Sequence, residues 1–410
     1  MKKANLMVLN FLFLISYFLF PLSLSAYDFG LLINSGCGFG NAVSEDNAFD
    51  FKVDIMPRFS TLIGDNGEFV LSAGFSIGKE QDLFYIPELL RTEFSMRFDD
   101  SGIRVGRIGY SDPLSFIANG LFDGVQYYYN SDVGSFRIGA WYTGLQYKKR
   151  ANIAMTDDDL LGISIPVSYD DFFNTYFASK RAFASVGWEH PSIGEFLHLN
   201  TAVIGQVDLN GSDADYHYHS QYVILKAGVP IDNFLMEFGG SVELSQIVAE
   251  ENKFNTAFAG EVGLFLLFPS RFNSRLSFTG TIASGMVNDS IGAFIPITGK
   301  EYGYILKSII PGLSVFSLNY SSRFDNFFSG SFTASYFVRN DLGTFIDYPV
   351  SADYEGYFLG PEVSARMTWS PASDLQFTLG CGAFFPFLGD AGPKEKIKWR
   401  VDLSVILSLL

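Results

Sequence analysis

The stretch EKIKWRVDLSVILSL, residues 395–409, alternates in character almost without exception. Trp399 and Val401 belong to an apolar series at odd positions, and Lys398 and Arg400 begin a mostly polar series at even positions. Successive side chains of a β-strand point to opposite faces of its sheet. The stretch therefore predicts a strand with one apolar face and one polar face.

The same alternation recurs along most of the chain. In one early segment Phe51 and Val53 share one parity, while Lys52 and Asp54 share the other. Turn-forming residues separate the segments. The predicted strands are 27–39, 49–63, 67–79, 88–98, 102–109, 123–130, 134–147, 181–189, 195–207, 217–229, 233–248, 256–268, 273–284, 303–310, 313–323, 327–338, 355–369, 373–385 and 396–409. The segment 303–310 has the weakest pattern, and the seventh, eighth and tenth segments alternate less cleanly than the others.

The N-terminus has the character of a signal peptide. A basic start at Lys2 and Lys3 precedes an apolar stretch, 6–24, and a cleavage site of small residues. The alternative is an uncleaved membrane anchor, because the apolar stretch is about long enough to span a bilayer. We predict a signal peptide at 1–26 and a single domain at 27–410.

The composition favours a barrel over a helical membrane protein. The chain is 48% hydrophobic, with 43 Phe and 40 Gly. Its most apolar stretch after the leader, 262–268, is far shorter than the roughly 20 residues that a spanning helix needs. A strand of a membrane barrel crosses with about 9–11 residues and presents alternate ones to lipid. Because bacterial single-chain barrels usually have an even strand number, we predict an all-β transmembrane antiparallel up-and-down β-barrel of about 18 strands, with 16 as the alternative.

Charged residues on the polar parity are predicted to line the lumen, since a charge that faces lipid costs about 2–4 kcal/mol near the midplane. Barrel closure makes the first and last strands neighbours, so their cations would form a basic wall. The basic wall consists of Lys52, Arg58, Arg91, Arg97, Arg104, Arg366, Lys398 and Arg400. The acidic wall, contributed by middle strands across the lumen, consists of Glu237, Glu243 and Glu261. The alternative is pairing with nearby carboxylates, which would cancel the transverse field between the two walls.

Two further features leave alternatives open. The longest predicted connection, 148–180, is either a solvated outer loop or a segment that folds inward and narrows the lumen. Cys37 and Cys381 lie on the apolar parity of strands from opposite ends of the chain. Closure would bring these strands close together, so the two cysteines either form a disulfide or stay free.

The sequence offers one candidate metal site. Asp213, Asp215, His217 and His219 occur at every second position, so an extended segment would present all four on one face. The alternative is an outer loop above a strand, with the imidazoles at the membrane boundary. We predict no bound metal and no other cofactor.

No pattern of catalytic residues stands out. His198 shares a face with Asn200, but no serine motif accompanies them. Glycine-rich phosphate loops and basic nucleic-acid patches are also missing from the sequence. We therefore predict that the protein is not an enzyme and does not bind nucleic acid.

The leader, the alternation, the strands rich in Gly and aromatic residues and the C-terminal strand together resemble outer-membrane porins. A shorter piece, with Gly106-Arg107-Ile108-Gly109, Asp112-Pro113-Leu114 and Phe122-Asp123-Gly124-Val125, is similar to alginate-export and carbohydrate-selective porins. The opposed basic and acidic walls resemble the constriction of general porins. The chain departs from the class at its end, where Leu409-Leu410 replaces the usual terminal aromatic residue.

The resemblance implies a channel in the bacterial outer membrane for passive diffusion of small hydrophilic solutes. The alternatives are a selective transporter of a hydrophobic or sugar ligand, and a surface adhesin or structural barrel. The expected partners are outer-membrane lipid, the barrel-insertion machinery and the solutes. A monomer and a homotrimer are both left open.

Overall fold

The computed structural model describes residues 27–42, 46–79, 82–211, 216–249, 251–269, 272–287, 291–344, 350–351, 353–394 and 396–409. The predicted signal peptide lies outside the described residues, as do Asp213 and Asp215. No helix in the described part of the chain is long and apolar enough to cross a membrane.

The described residues form eighteen strands in a single sheet, with three short helices between two of the strands. The strands are β1 (Tyr27–Gly40), β2 (Ala48–Ile63), β3 (Gly67–Lys79), β4 (Leu83–Arg97), β5 (Ser101–Ser111), β6 (Asn119–Ser131), β7 (Gly134–Tyr142), β8 (Arg181–Ile193), β9 (Leu197–Asp208), β10 (His217–Ile231), β11 (Phe234–Val248), β12 (Lys253–Phe268), β13 (Ser274–Ala283), β14 (Leu313–Arg323), β15 (Phe328–Arg339), β16 (Phe358–Ala372), β17 (Leu375–Phe384) and β18 (Lys398–Leu409). The helices are α1 (Lys148–Ala151), α2 (Asp157–Ser164) and α3 (Phe172–Tyr176), and a 3₁₀ turn spans Pro386–Leu388.

The sheet closes on itself. Each strand pairs antiparallel with the next in sequence, and β1 also pairs with β18, from Leu31 opposite Leu409 to Gly40 opposite Arg400. Closure leaves no sheet edge with unpaired backbone groups. The predicted up-and-down barrel is confirmed, and 18 rather than 16 is the correct strand number.

One predicted segment, 303–310, does not enter the barrel. Apart from an isolated pairing of Tyr302 with Ser308, it pairs with no strand in the described part of the chain. The backbone N–H groups of Ile305 and Leu306 instead donate to the Glu362 carboxylate. A side chain thus satisfies donors that a neighbouring strand would otherwise have to satisfy.

The two ends of the barrel differ in their connections. Short turns such as 64–66 and 98–100 join strands at one end, here called the turn end. The other end, the loop end, carries the long connections. Its third, fourth and seventh connections, 112–118, 143–180 and 284–312, are here called L3, L4 and L7.

The two faces of the wall differ as the alternation predicts. In β14 the side chain of Leu318 points outward and is 49% exposed. Its neighbours point inward, where the Ser317 and Ser335 hydroxyls lie 2.8 Å apart and Asn319 Nδ2 donates to Thr333 Oγ1 at 2.7 Å. The outward face is therefore apolar and the inward face forms hydrogen bonds.

Both cysteines are free. Cys37 in β1 lies opposite Leu403, and Cys381 in β17 lies opposite Val401, so β18 separates them. Two strand spacings amount to about 9–10 Å, which exceeds the roughly 7 Å between Cα atoms that a disulfide can bridge. The disulfide alternative is therefore wrong in this fold.

Candidate functional site

Three long loops turn into the lumen and are joined to one another. The carbonyl oxygen of Ile117 in L3 accepts from the N–H groups of Ile297 and Thr298 in L7, at 2.8 and 3.0 Å. The carbonyl oxygen of Asn152 in L4 accepts from the N–H of Gly299 in L7 at 2.9 Å. We call these three joined loops the plug. The choice left open for 148–180 is thereby settled, because this connection belongs to the plug.

The plug has an apolar core that it shares with the inner face of the barrel. The buried residues of this core include Leu114, Phe116 and Ile117 from L3, Ile153 and Met155 from L4, Phe294 and Ile297 from L7, and Ile108, Phe122, Phe183, Ile204, Tyr222 and Ile224 from the wall. Burial of this apolar surface stabilises the packing of the plug on the wall by about 25 cal/mol per Å². The core residues of the wall lie on strands from β5 to β13, so the plug fills the lumen along these strands.

Carboxylates on the wall fasten L7. Glu243 in β11 is fully buried and accepts hydrogen bonds from the Tyr218 hydroxyl at 2.7 Å and the Ile295 N–H at 2.8 Å. Glu362 in β16 accepts from the N–H groups of Ile305 and Leu306, each at 2.9 Å. L7 is thus held to the wall on both sides of β14.

A buried ion triad fastens L4. Arg181 opens β8, and its side chain is fully buried. Its guanidinium donates to Asp159 of α2 at 2.6 Å and also pairs with Asp208 at the end of β9. The Asp159 carboxylate accepts from the Thr156 N–H as well, which closes the capping box of α2. A second ion pair joins Arg150 of α1 to Glu88 of β4.

Asp112 organises L3 from within. Its carboxylate accepts four backbone N–H groups, those of Leu114, Ser115, Ile117 and Ala118, at 2.8 to 3.0 Å. Burial raises the pKa of the Asp112 carboxyl, and these hydrogen bonds partly offset that effect. The loop thereby satisfies its own donors in a dry environment.

Within the predicted basic wall, several cations have acidic partners. Arg91 and Arg104 both bind Glu93, with Nε–oxygen distances of 2.6 and 2.7 Å. Lys52 lies 3.1 Å from Asp54. The local pairing that the sequence left open is therefore present in the early strands.

Arg400 pairs with two carboxylates at once. Its guanidinium donates two hydrogen bonds to Asp50, at 2.6 and 2.7 Å, and a third to Asp402 at 2.6 Å. To reach Asp50 in β2, the side chain crosses β1 at Gly38, where a Cβ would collide with the guanidinium. The hydroxyl of Tyr304 from L7 also donates to Asp402, so this cluster contacts the plug.

Three other predicted cations, Arg58, Arg97 and Arg366, lie on the inward parity and form no ion pair with any described residue. Lys398 lies on the same parity at the start of β18. The three arginines therefore add positive charge that no described carboxylate contacts directly.

The predicted acidic wall is divided. Glu237 and Glu261 flank Lys226, whose Nζ lies 3.2 and 2.9 Å from their carboxylate oxygens. Glu243 does not meet the open lumen, because L7 covers it completely. The prediction that Glu243 lines an open passage is therefore wrong, since its carboxylate binds the plug.

The two histidines of the candidate metal site lie on the outward parity of β10. They share that parity with Val223, which is 57% exposed. The Nδ1 atom of His219 accepts from the Asp208 N–H at 3.1 Å, and the His217 ring stacks on the His219 ring. In the described part of the chain, no three potential metal ligands come together.

The buried ion triad that fastens L4 was missed by sequence reasoning. Its signal was a polar residue inside an apolar inward series: Arg181 precedes Phe183, and Asp208 follows Ile204, on the same parity of their strands. A lone charge in such a series needs a buried partner. The sequence does not show which residue supplies it.

Comparison with solved structures supports the fold. The chain is similar to OccK2 (OpdF) of Pseudomonas aeruginosa, with 13% identity, a TM-score of 0.60 and coverage of 94% of this chain and 99% of that one. The same protein in complex with glucuronate gives a TM-score of 0.61 at 13% identity, covering 94% and 98%. The outer membrane protein OprD of P. aeruginosa gives 0.55 at 12% identity, covering 93% of each chain. No family model and no curated protein matches the chain.

Proposed function

We propose that this protein is a bacterial outer-membrane channel for the passive diffusion of small hydrophilic solutes. The observation that carries the proposal is the two-sided wall of a closed 18-stranded barrel. Exposed apolar side chains such as Leu318 cover the outside, while ions and hydroxyls lie on the inside wherever the apolar core of the plug does not cover the wall. An outward charge costs about 2–4 kcal/mol near the bilayer midplane, so this arrangement suits lipid outside and water inside.

A second apolar cluster joins Ile305 of L7 to inward side chains of β14 to β17 near the loop end. Nearer the turn end, β14 to β18 and β1 to β4 carry inward polar side chains that belong to neither apolar cluster. We place the solute route there, lined by the basic wall, with Arg58, Arg97 and Arg366 as its unpaired cations. The similarity to a structure that holds glucuronate supports a small polar solute as cargo.

The membrane setting follows from the same proposal. Residues 1–26 would direct export and be removed, and the barrel-insertion machinery would place 27–410 in the outer membrane. The turn end would face the periplasm, because membrane barrels carry short turns on that side and longer loops outside. We assign no catalytic activity and no oligomeric state.

The proposal predicts single-channel currents. Folded protein reconstituted in a planar lipid bilayer should produce discrete open-channel steps in potassium chloride. Protein unfolded by boiling before addition should give none, which controls for detergent and lipid artefacts. A folded preparation that inserts but produces no steps would contradict a diffusion channel.

A further inference from the structure

A cavity of about 310 Å³ lies on the inner face of the wall at the turn end. Its lining includes Ser321, Arg323, Ser329, Ser331, Arg366 and Thr368, which come from β14, β15 and β16. Its lining contains no carboxylate. None of these residues fastens the plug or belongs to its apolar core.

The register of the sheet explains how this cavity forms. Ser321, Ser331 and Arg366 lie directly opposite one another across three strands. Arg323, Ser329 and Thr368 form the next inward row, two residues away on each strand. Side chains on β15 are small here, so the two long arginines on either side of it can both reach the space above the serines.

Both guanidiniums lack an anionic partner. Arg366 forms no hydrogen bond or ion pair with a described residue, and Gly380, its neighbour on β17, offers no side chain. Arg323 donates only to the carbonyl oxygens of Asp325 and Asn326, at 3.2 and 3.5 Å. The Asp325 carboxylate accepts the backbone N–H groups of the turn instead. The cavity therefore has two positive charges and no compensating negative charge in its lining.

The hydroxyls of the cavity add donors to this charge. The side chains of Ser321, Ser329 and Ser331 form no hydrogen bond with any described residue, and each can donate one. Thr368 contacts Thr378, with 3.2 Å between their hydroxyl oxygens. Donors thus approach the same volume from three strands.

A phosphate group matches this combination. It carries a charge of about −1.5 to −2 at pH 7 and three strong acceptor oxygens. A carboxylate offers one charge and two oxygens, which would leave one guanidinium and most hydroxyls without a partner. Arginine also binds phosphate oxygens in a bidentate manner that lysine cannot reproduce.

We propose that this cavity is a phosphate-binding site, which takes inorganic phosphate or the phosphate end of a small phosphate ester. The proposal rests on the proposed function only for the route, since the ligand would reach the cavity through the lumen. Phosphate can bind in the cavity whether or not the barrel conducts ions.

The test is calorimetric titration of the folded full-length barrel in detergent, at low ionic strength and neutral pH. Inorganic phosphate and glycerol phosphate are titrated in separate arms, with acetate as the carboxylate arm. Arg366→Gln and Arg323→Gln should each weaken phosphate binding at least about tenfold, because each removes a charge-assisted contact. Arg366→Lys should fall between the wild type and Arg366→Gln.

Arg137→Gln is the matched control, because Arg137 also carries a guanidinium but lies on β7, outside the cavity and outside the basic wall. It should leave phosphate binding nearly unchanged. Circular dichroism confirms that each variant keeps its strands.

Three outcomes would overturn the site: unchanged binding in Arg366→Gln, an equal loss in Arg137→Gln, or acetate binding as tight as that of both phosphate ligands. Binding of either phosphate ligand that depends on Arg366 supports it, and the tighter one identifies the source. A barrel that binds phosphate but never conducts would remove the proposed function and leave this site standing. A barrel that conducts but does not bind phosphate would overturn the site and leave the proposed function standing.

Discussion

Replacing Arg181 by methionine is expected to lower the free energy of unfolding by about 3–5 kcal/mol. The guanidinium is the cation between Asp159 and Asp208, and all three side chains are buried. Without it, two buried carboxylates would lose the guanidinium that neutralises them, and only the His217 imidazole, 3.8 Å from Asp208, would remain nearby. Equilibrium unfolding in denaturant, followed by the loss of β-sheet circular dichroism, measures the change.

The matched control is Arg137→Met, which removes another arginine that pairs with a carboxylate, that of Glu189 at 3.0 Å. This pair is largely exposed, so its loss should cost at most about 1 kcal/mol. A second control combines Arg181→Met with Asp159→Asn and Asp208→Asn. It should recover much of the stability, because the buried negative charges are gone. Equal losses for Arg181→Met and Arg137→Met would contradict the role of the triad.

The same substitution should also change the channel. The triad fixes α2 and with it the L4 part of the plug. We expect Arg181→Met to give larger and noisier open-channel currents, because a released L4 would no longer keep its place in the lumen. Arg137→Met should keep the wild-type current.

The second large effect concerns the two faces of β14. Leu318→Arg is expected to destabilise the lipid-embedded barrel by about 2–4 kcal/mol, because the charge would enter the hydrocarbon near the middle of the strand. Asn319→Arg, one residue away on the inward face, should cost well below that amount. The folded fraction in lipid, measured across a denaturant series, separates the two. Equal destabilisation by the two substitutions would show that the outward face does not contact lipid while the inward face contacts water.

The strands were predictable because alternation is a local property. The limits of that reasoning appear at β4, predicted to start at residue 88 and found to start at Leu83. Pro87 lies in the part of β4 that was not predicted, and proline is unfavourable inside a strand because it cannot donate to a neighbouring strand. The pairing of β3 with β4 shifts between Ser72 and Ala73, and Pro87 lies opposite Phe75 beyond that shift. Such an irregularity is not visible in the sequence of either strand alone.

The plug could be predicted only in part. The inward parity of β8 to β10 carries Phe183, Ile204 and Tyr222, and these account for the uneven alternation there. Apolar side chains in a lumen must be covered by other apolar side chains, and this requirement can be predicted from the sequence. The covering residues cannot be predicted, because Leu114 and Phe294 come from loops far away along the chain.

The charged residues of the lumen were also predictable only in part. Their inward direction follows from parity, but their partners depend on the closed register. Arg400 meets Asp50 only because β18, β1 and β2 are neighbours and Gly38 leaves room between them. Whether a wall of cations is paired or free was therefore undecidable before the strands were aligned.

The most direct test of the account is thiol accessibility at two adjacent positions. Leu318→Cys and Asn319→Cys, each made in a protein whose Cys37 and Cys381 are replaced by serine, are reconstituted in lipid vesicles and treated with a charged, membrane-impermeant maleimide. The account predicts rapid modification at position 319 and almost none at 318. Rapid modification at 318 with protection at 319 would contradict a barrel that has lipid outside and water inside.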